Sequence, residues 1–371
     1  MPQINVLIVE DDSEIVNRYK RLLDSRPDKD EYPVELFSAK NITEARKLLD
    51  NANNVYDAAI IDIKLSSGTD HETNNGNVII KFLQDETRIP IFSVTGTPED
   101  VDHSFKRSLC FSVINRAEDG DLFDKIINLY KTGVTRILSR KGTIEQKLNE
   151  IFWSNLSVQL NNWIDDESRN TEAKEKSLLR YTLLHIMEHL ELATESDFEH
   201  YHPAEIYISP VIKSMHFTGD ILKKKSDGKM FIILTPSCDM AQGKAKNVVL
   251  AEIESHSEGV LNDNINLGKK TSEDASKKKK INEAKDILTK IISNSYSNRY
   301  HYLPKVHGVE GGLINFQKLL SEKYNELDSK FERIASINSS FAKDIIARFS
   351  AYYARQGAPD LEAEKIRDML L

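Results

Sequence analysis

Leu7-Ile8-Val9-Glu10-Asp11-Asp12 and, further along, Ala59-Ile60-Ile61-Asp62-Ile63-Lys64-Leu65 are the stretches that decide how this 371-residue chain folds. Each is a short aliphatic run that stops at carboxylates. Apolar runs of roughly four to eight residues bounded by polar ones suit strands buried on both faces. The runs are Asn5–Val9, Val34–Phe37, Ala58–Ile61, Ile89–Val94 and Cys110–Ile114. Between and after them, helical spacing appears at Glu14–Leu23, Thr43–Leu49, Asn77–Leu83, Glu99–Arg107 and Leu122–Tyr130. This alternation predicts an α/β domain, a five-stranded parallel sheet with helices on both faces. Ligands in such sheets bind beyond the carboxyl ends of the strands.

Those ends carry chemistry. With the flavodoxin-like strand order 2-1-3-4-5, the first and third strands are neighbours, and Glu10, Asp11 and Asp62 converge. Three adjacent carboxylates repel unless a cation joins them or one takes a proton. Clustered oxygen ligands at an open site suit Mg²⁺, which often bridges to phosphate. Such a cation would ease the approach of a phosphodonor to Asp62 and stabilise charge on the transferring group. The fourth strand ends at Thr95-Gly96, whose hydroxyl would face that group, and the fifth ends at Asn115-Arg116.

The strand ends Leu7–Asp12, Ile60-Ile61-Asp62 and Pro90-Ile91-Phe92-Ser93-Val94-Thr95-Gly96 together resemble the receiver domain of two-component response regulators. The resemblance covers about the first third of the chain. It implies that Asp62 accepts phosphate from a cognate sensor histidine kinase. It also implies that Asp11, Asp62 and the Lys64 backbone carbonyl ligate Mg²⁺, that Glu10 acts through water, and that Thr95 is the switch hydroxyl. Three departures follow. Asn115 stands where the family has a lysine, and an asparagine donates a hydrogen bond but cannot neutralise charge. Arg116 is the nearby cation that could swing in instead, but one residue out of register it should point elsewhere on the pleat. Ser112 replaces the aromatic switch residue, and the loop from Ser66 to Gly76 is longer than usual, suiting either a lid or recognition element or a tolerated surface insertion.

The net charge of −8 is concentrated in this region: residues 1–133 hold 16 basic and 24 acidic side chains, and the remainder holds 34 of each. An acidic excess suits a domain that gathers carboxylates around a cation. The amino terminus reads straight into a strand with no signal peptide pattern, and no apolar run is long enough to span a membrane, so a cytoplasmic protein is expected. Two cysteines, Cys110 and Cys238, provide neither a disulfide framework nor zinc-finger spacing.

Three segments are expected: a receiver domain over 1–133, a helical connector over 134–200 and an α+β effector domain over 201–371. The connector shows helical spacing at Gly142–Trp163 and Glu172–Leu192 and is read as a lever fed by, and perhaps continuous with, the last receiver helix. The effector combines strands at Glu205–Ser209, Met230–Thr235 and Val248–Ile253 with a polar, lysine-rich insertion at Gly268–Lys285. Helices are expected at Ile314–Tyr324 and Ser339–Arg355, the second stopped by Gly357-Ala358-Pro359. Gly219-Asp220-Ile221 ahead of an apolar strand is similar, over three residues only, to small SH3-like barrels that include growth-inhibition toxins.

Other constellations are weighed against plainer readings. His185-Ile186-Met187-Glu188-His189 matches a zinc-protease pattern, but its apolar neighbours suit an ordinary packed helix. Cys238-Asp239 at a strand end suits a nucleophile, with His200, His202 or His216 as a base, or a buried thiol beside a turn-forming acid. Lys223–Lys225 and Lys277–Lys280 sit among acidic residues, so a solvated loop outweighs nucleic-acid contact. The expected function is a receiver that relays phosphorylation to an effector that does not bind DNA. The alternatives are a receiver-gated enzyme using Cys238 and Asp239, or a phosphate sink. A homodimer is left open.

Overall fold

The computed structural model describes residues 3–51, 54–65, 75–191, 200–355 and 361–371. The chain divides into two compact units, 1–197 and 198–371. In the first, β1 (Ile4–Val9), β2 (Val34–Ala39), β3 (Ala58–Ile61), β4 (Ile91–Thr95) and β5 (Phe111–Asn115) form a parallel sheet. Its order is β2-β1-β3-β4-β5, the expected flavodoxin-like order. Side chains alternate across β1. Ile4, Val6 and Ile8 pack with Val16, Tyr19 and Leu23 of α1 (Ser13–Asp24) and with Ile126 and Tyr130 of α4 (Leu122–Lys131). Leu7 and Val9 pack with Ala45 and Leu49 of α2 (Ile42–Asp50) and with Ile79, Ile80 and Leu83 of α3 (Asn75–Glu86). The period of two in the strands and the apolar stripes of four helices thus build two cores, one on each side.

The helix expected over Glu99–Arg107 is not there. Pro98–Asp100 forms one 3₁₀ turn, and the chain then runs irregularly to β5. Side chains take the backbone groups a helix would use: the Asp102 carboxylate accepts from the Ser104 amide, and Asn77 binds both the Asp100 carbonyl and the Asp102 amide. Such local bonds compete with helix formation. Phe105 is instead drawn onto Phe111, with ring centroids 5.6 Å apart.

α4 does not continue into the segment expected as a connector. Gly133 sits at φ +80°, a left-handed conformation that ends α4. α5 (Val134–Leu138) then starts in a new direction, followed by α6 (Thr143–Ile151), short helical turns within 152–164, and α7 (Thr171–Glu191). Side chains fix the start of this segment to the amino ends of the strands. Thr135 donates to Asp57, Arg88 reaches the Leu138 carbonyl and Glu145, and Arg140 donates to the Leu49 carbonyl.

The second unit is an antiparallel sheet of seven strands. They are β6 (Tyr207–Ile208), β7 (Asp220–Lys224), β8 (Met230–Ile233), β9 (Asn247–Glu254), β10 (Tyr300–Leu303), β11 (Gly312–Lys323) and β12 (Phe331–Ile337). Their order is β10-β11-β9-β8-β7-β12-β6. Two expectations fail here. The stretch from Ile314 to Lys323 is strand, because β11 pairs along β9 from Leu313↔Glu254 to Lys323↔Asn247. A register shift between Asn315 and Leu319 changes the side-chain alternation, which makes the apolar spacing look helical. The lysine-rich stretch is no loop. Asp274 caps a helix over Ala275–Ile292 that buries Ile281, Ala284 and Ile291 and leaves Lys277–Lys280 exposed. Ser339–Ala354 is helical, and the expected glycine-proline stop lies outside the described residues.

Candidate phosphoacceptor and metal site

Glu10 and Asp11 follow β1, and Asp62 follows β3. The parallel register Val9↔Ile61 brings the three together. Carboxylate oxygens of all three lie within 4.8 Å of one another, the one group among the described residues with metal-ligand spacing. Glu10 is 5% and Asp62 6% exposed. Burial, reinforced by the charges of Asp62 and Asp11, pushes the Glu10 carboxyl up to about 7, against the downward pull of the Asp12 amide and Arg116. Asp12 itself caps α1 by accepting from the Glu14 amide. The Asp62 carboxylate accepts from the Ile63 amide at 2.8 Å.

Gly76 opens α3 directly behind the cluster. A Cβ there would lie 2.3 Å from the Asp62 carbonyl and 2.6 Å from the Ile63 Cα, so only glycine admits this approach. Residues 66–74 of the long loop lie outside the described residues. Lys64, whose carbonyl the sequence offers as a ligand, pairs through its ammonium with Asp100 at 3.1 Å. Thr95, 1% exposed, ends β4, and its hydroxyl accepts from the Thr97 amide at 3.3 Å.

The fifth strand departs from expectation. Asn115 is exposed and turns its side chain back to accept from the Ala117 amide, capping a 3₁₀ turn over Arg116–Asp121. Arg116 enters the pocket instead: its guanidinium lies 2.8 Å from Glu10 and 3.0 Å from Asp62. Strand alternation predicts the opposite, but it stops applying where β5 ends. The turn rotates the next residue inward. Arg116 Nε is buried with no hydrogen-bond partner among the described residues, leaving a donor for another oxygen. The Ser112 hydroxyl donates to the Ser108 carbonyl at 3.4 Å.

Solved structures of receiver domains match this chain. One from Methylobacillus flagellatus, described as CheY-like, is 21% identical and covers 34% of this chain and 99% of its own, with a TM-score of 0.25. A two-component response regulator from Legionella pneumophila is 18% identical over 34% of this chain and 98% of its own, with a TM-score of 0.26. The N-terminal third is similar to receiver domains. A MazE–MazF structure from Deinococcus radiodurans also matches, at 10% identity over 38% of this chain and 100% of that one, with a TM-score of 0.24. No protein-family model and no curated protein sequence matches the chain.

The remaining sequence candidates are placed as follows. Cys238 is exposed on a short helix over Ser237–Ala241, its sulfur 3.8 Å from Asp239. His202 caps the turn at Pro203–Ile206. His216 is buried between Asp328, at 2.8 Å, and Asp220, at 3.7 Å, and these two carboxylates raise its pKa above the usual histidine value. His185 packs edge-on against Tyr181 within α7. No helix among the described residues is long and apolar enough to cross a membrane.

Proposed function

We propose that the first unit is a phosphorylatable receiver in which Asp62 takes a phosphoryl group from the phosphohistidine of a sensor kinase. The observation that carries this reading is the convergence of Glu10, Asp11 and Asp62 at adjacent strand ends, with Thr95 and Arg116 beside them. An all-carboxylate donor set, with the Glu10 carboxyl pushed up to about 7 by burial and by the charges of Asp62 and Asp11, fits a divalent cation. Glu10, Asp11, Asp62 and the Lys64 carbonyl would hold Mg²⁺, which would supply positive charge for the transferring group.

The chain's own residues do the rest. An Asp62 oxygen attacks phosphorus, the P–O bond forms, the P–N bond to histidine breaks, and the electron pair leaves with the imidazole. The Thr95 hydroxyl and the Arg116 guanidinium bind the phosphoryl oxygens, with Arg116 supplying the charge that Asn115 lacks. Because Arg116 already binds Glu10 and Asp62, phosphorylation would redraw these contacts and bias the domain between two states, which the second unit would read. Kinase, effector activity and phosphorylation-dependent output all belong to this proposal.

The deciding experiment treats the full chain with acetyl phosphate and Mg²⁺ and follows intact mass. Wild type gains one phosphoryl group and Asp62→Asn gains none. Absence of uptake by the folded wild type, or equal uptake by the variant, overturns the reading.

A further inference from the structure

α7 has apolar side chains on both of its sides. One side, with Leu178, Tyr181 and Ile186, is partly buried, and Trp163 packs on Tyr181 with ring centroids 5.0 Å apart. The other side exposes Leu179 (60%), Leu183 (53%), Leu184 (56%), Met187 (45%) and Leu190 (71%). Steps of three and four residues place these five along one face, about 17 Å of helix. A surface helix ordinarily turns polar residues to solvent, and a continuous apolar strip marks an interaction surface.

Charges on the same face indicate what covers it. Arg180 and Glu188 are both exposed, and they stand four residues before and four residues after Leu184. A second copy laid antiparallel across a two-fold axis at Leu184 would place Arg180 against Glu188 of the partner subunit, and Glu188 against the partner subunit's Arg180. Leucine would meet leucine between the two ion pairs. A parallel pairing would set Arg180 against arginine and Glu188 against glutamate. A two-fold interface is self-complementary, and this strip has that property. We infer that the exposed face of α7 is a homodimer interface, with the α7 helices of two copies packed antiparallel about Leu184.

The test is sedimentation equilibrium of the full chain at low salt, with circular dichroism to show that helix content is retained. Wild type associates as a dimer. Leu184→Glu weakens association by about tenfold or more, since it places two carboxylates in the apolar centre. Arg180→Glu and Glu188→Arg each weaken it, because each puts like charges together at both ends, and the double variant recovers it. A wild type that stays monomeric, a dimer indifferent to Leu184→Glu, or a double variant no tighter than the single ones each overturns the inference. Since Asp62 takes no part, phosphoryl uptake can fail while this interface stands.

Discussion

At the amino end of the parallel sheet, Asp57 is half-buried but provided for: the Asn5 amide and the Thr135 hydroxyl donate to its two oxygens at 3.0 and 2.9 Å. At the carboxyl end, Glu10, Asp11 and Asp62 face one another, and the guanidinium of Arg116 is what bridges Glu10 and Asp62. Burial raises the pKa of Asp57 as it does that of Glu10, but at Asp57 the opposing influences are hydrogen bonds and the Arg136 charge, with no second carboxylate. One end uses a carboxylate to dock the next segment of chain. The other keeps carboxylates close at an energetic cost, which suits a site that takes up a cation and a phosphoryl group.

Three measurements press on this contrast. The largest effect is expected from Arg116→Gln in metal-free protein. Removing the cation leaves Glu10 and Asp62 buried together, and denaturant unfolding should show a loss of about 3 kcal/mol. Added Mg²⁺ should recover most of it. If Arg116→Gln is neutral without metal, the guanidinium is not the internal counter-ion.

The second effect is on pH. Glu10 has a folded pKa of about 7, above its ordinary 4.5, so the folded state holds a proton that the unfolded state has released. Metal-free stability therefore falls as pH rises from about 4.5 to about 7, by roughly 2–3 kcal/mol, and stays low above that. Glu10→Gln should flatten the curve across that window, and Mg²⁺ should do the same in wild type. A flat metal-free wild-type curve contradicts the close packing of the three acids.

Smallest is the amino end. Thr135→Val removes one donor from Asp57 and should cost about 1–2 kcal/mol, with or without Mg²⁺. A Mg²⁺-dependent cost there would mean the two ends are coupled, and the contrast between them would fail.

The sequence already contains the parallel sheet because its signal is local and redundant. The three central strands β1, β3 and β4 are largely aliphatic runs buried on both faces, and each gives way to polar residues at its carboxyl end. Glu10, Asp11, Asp62 and Thr95 are legible for that reason. Gly76 is legible only as the end of the long loop; that nothing larger fits against the Asp62–Ile63 backbone is decided by the fold. Arg116 is not, because its direction depends on where β5 gives way to a turn capped by Asn115. The segment Glu99–Arg107 shows helical spacing, yet hydrogen bonds with Asn77 and within Asp102–Ser104 win there.

The second unit is harder to read because antiparallel pairing joins distant residues and a bulge can imitate another periodicity, as β11 does against β9. The sequence by itself determined the succession of strands in the first unit and which acids stand at their ends, through runs whose period is a property of the chain alone. Only the tertiary structure decided that Arg116, not Asn115, enters the acidic pocket. It alone bends the chain at Gly133 onto the amino ends of the strands. Both outcomes depend on turns and partners remote in sequence, where no local period constrains the side chain.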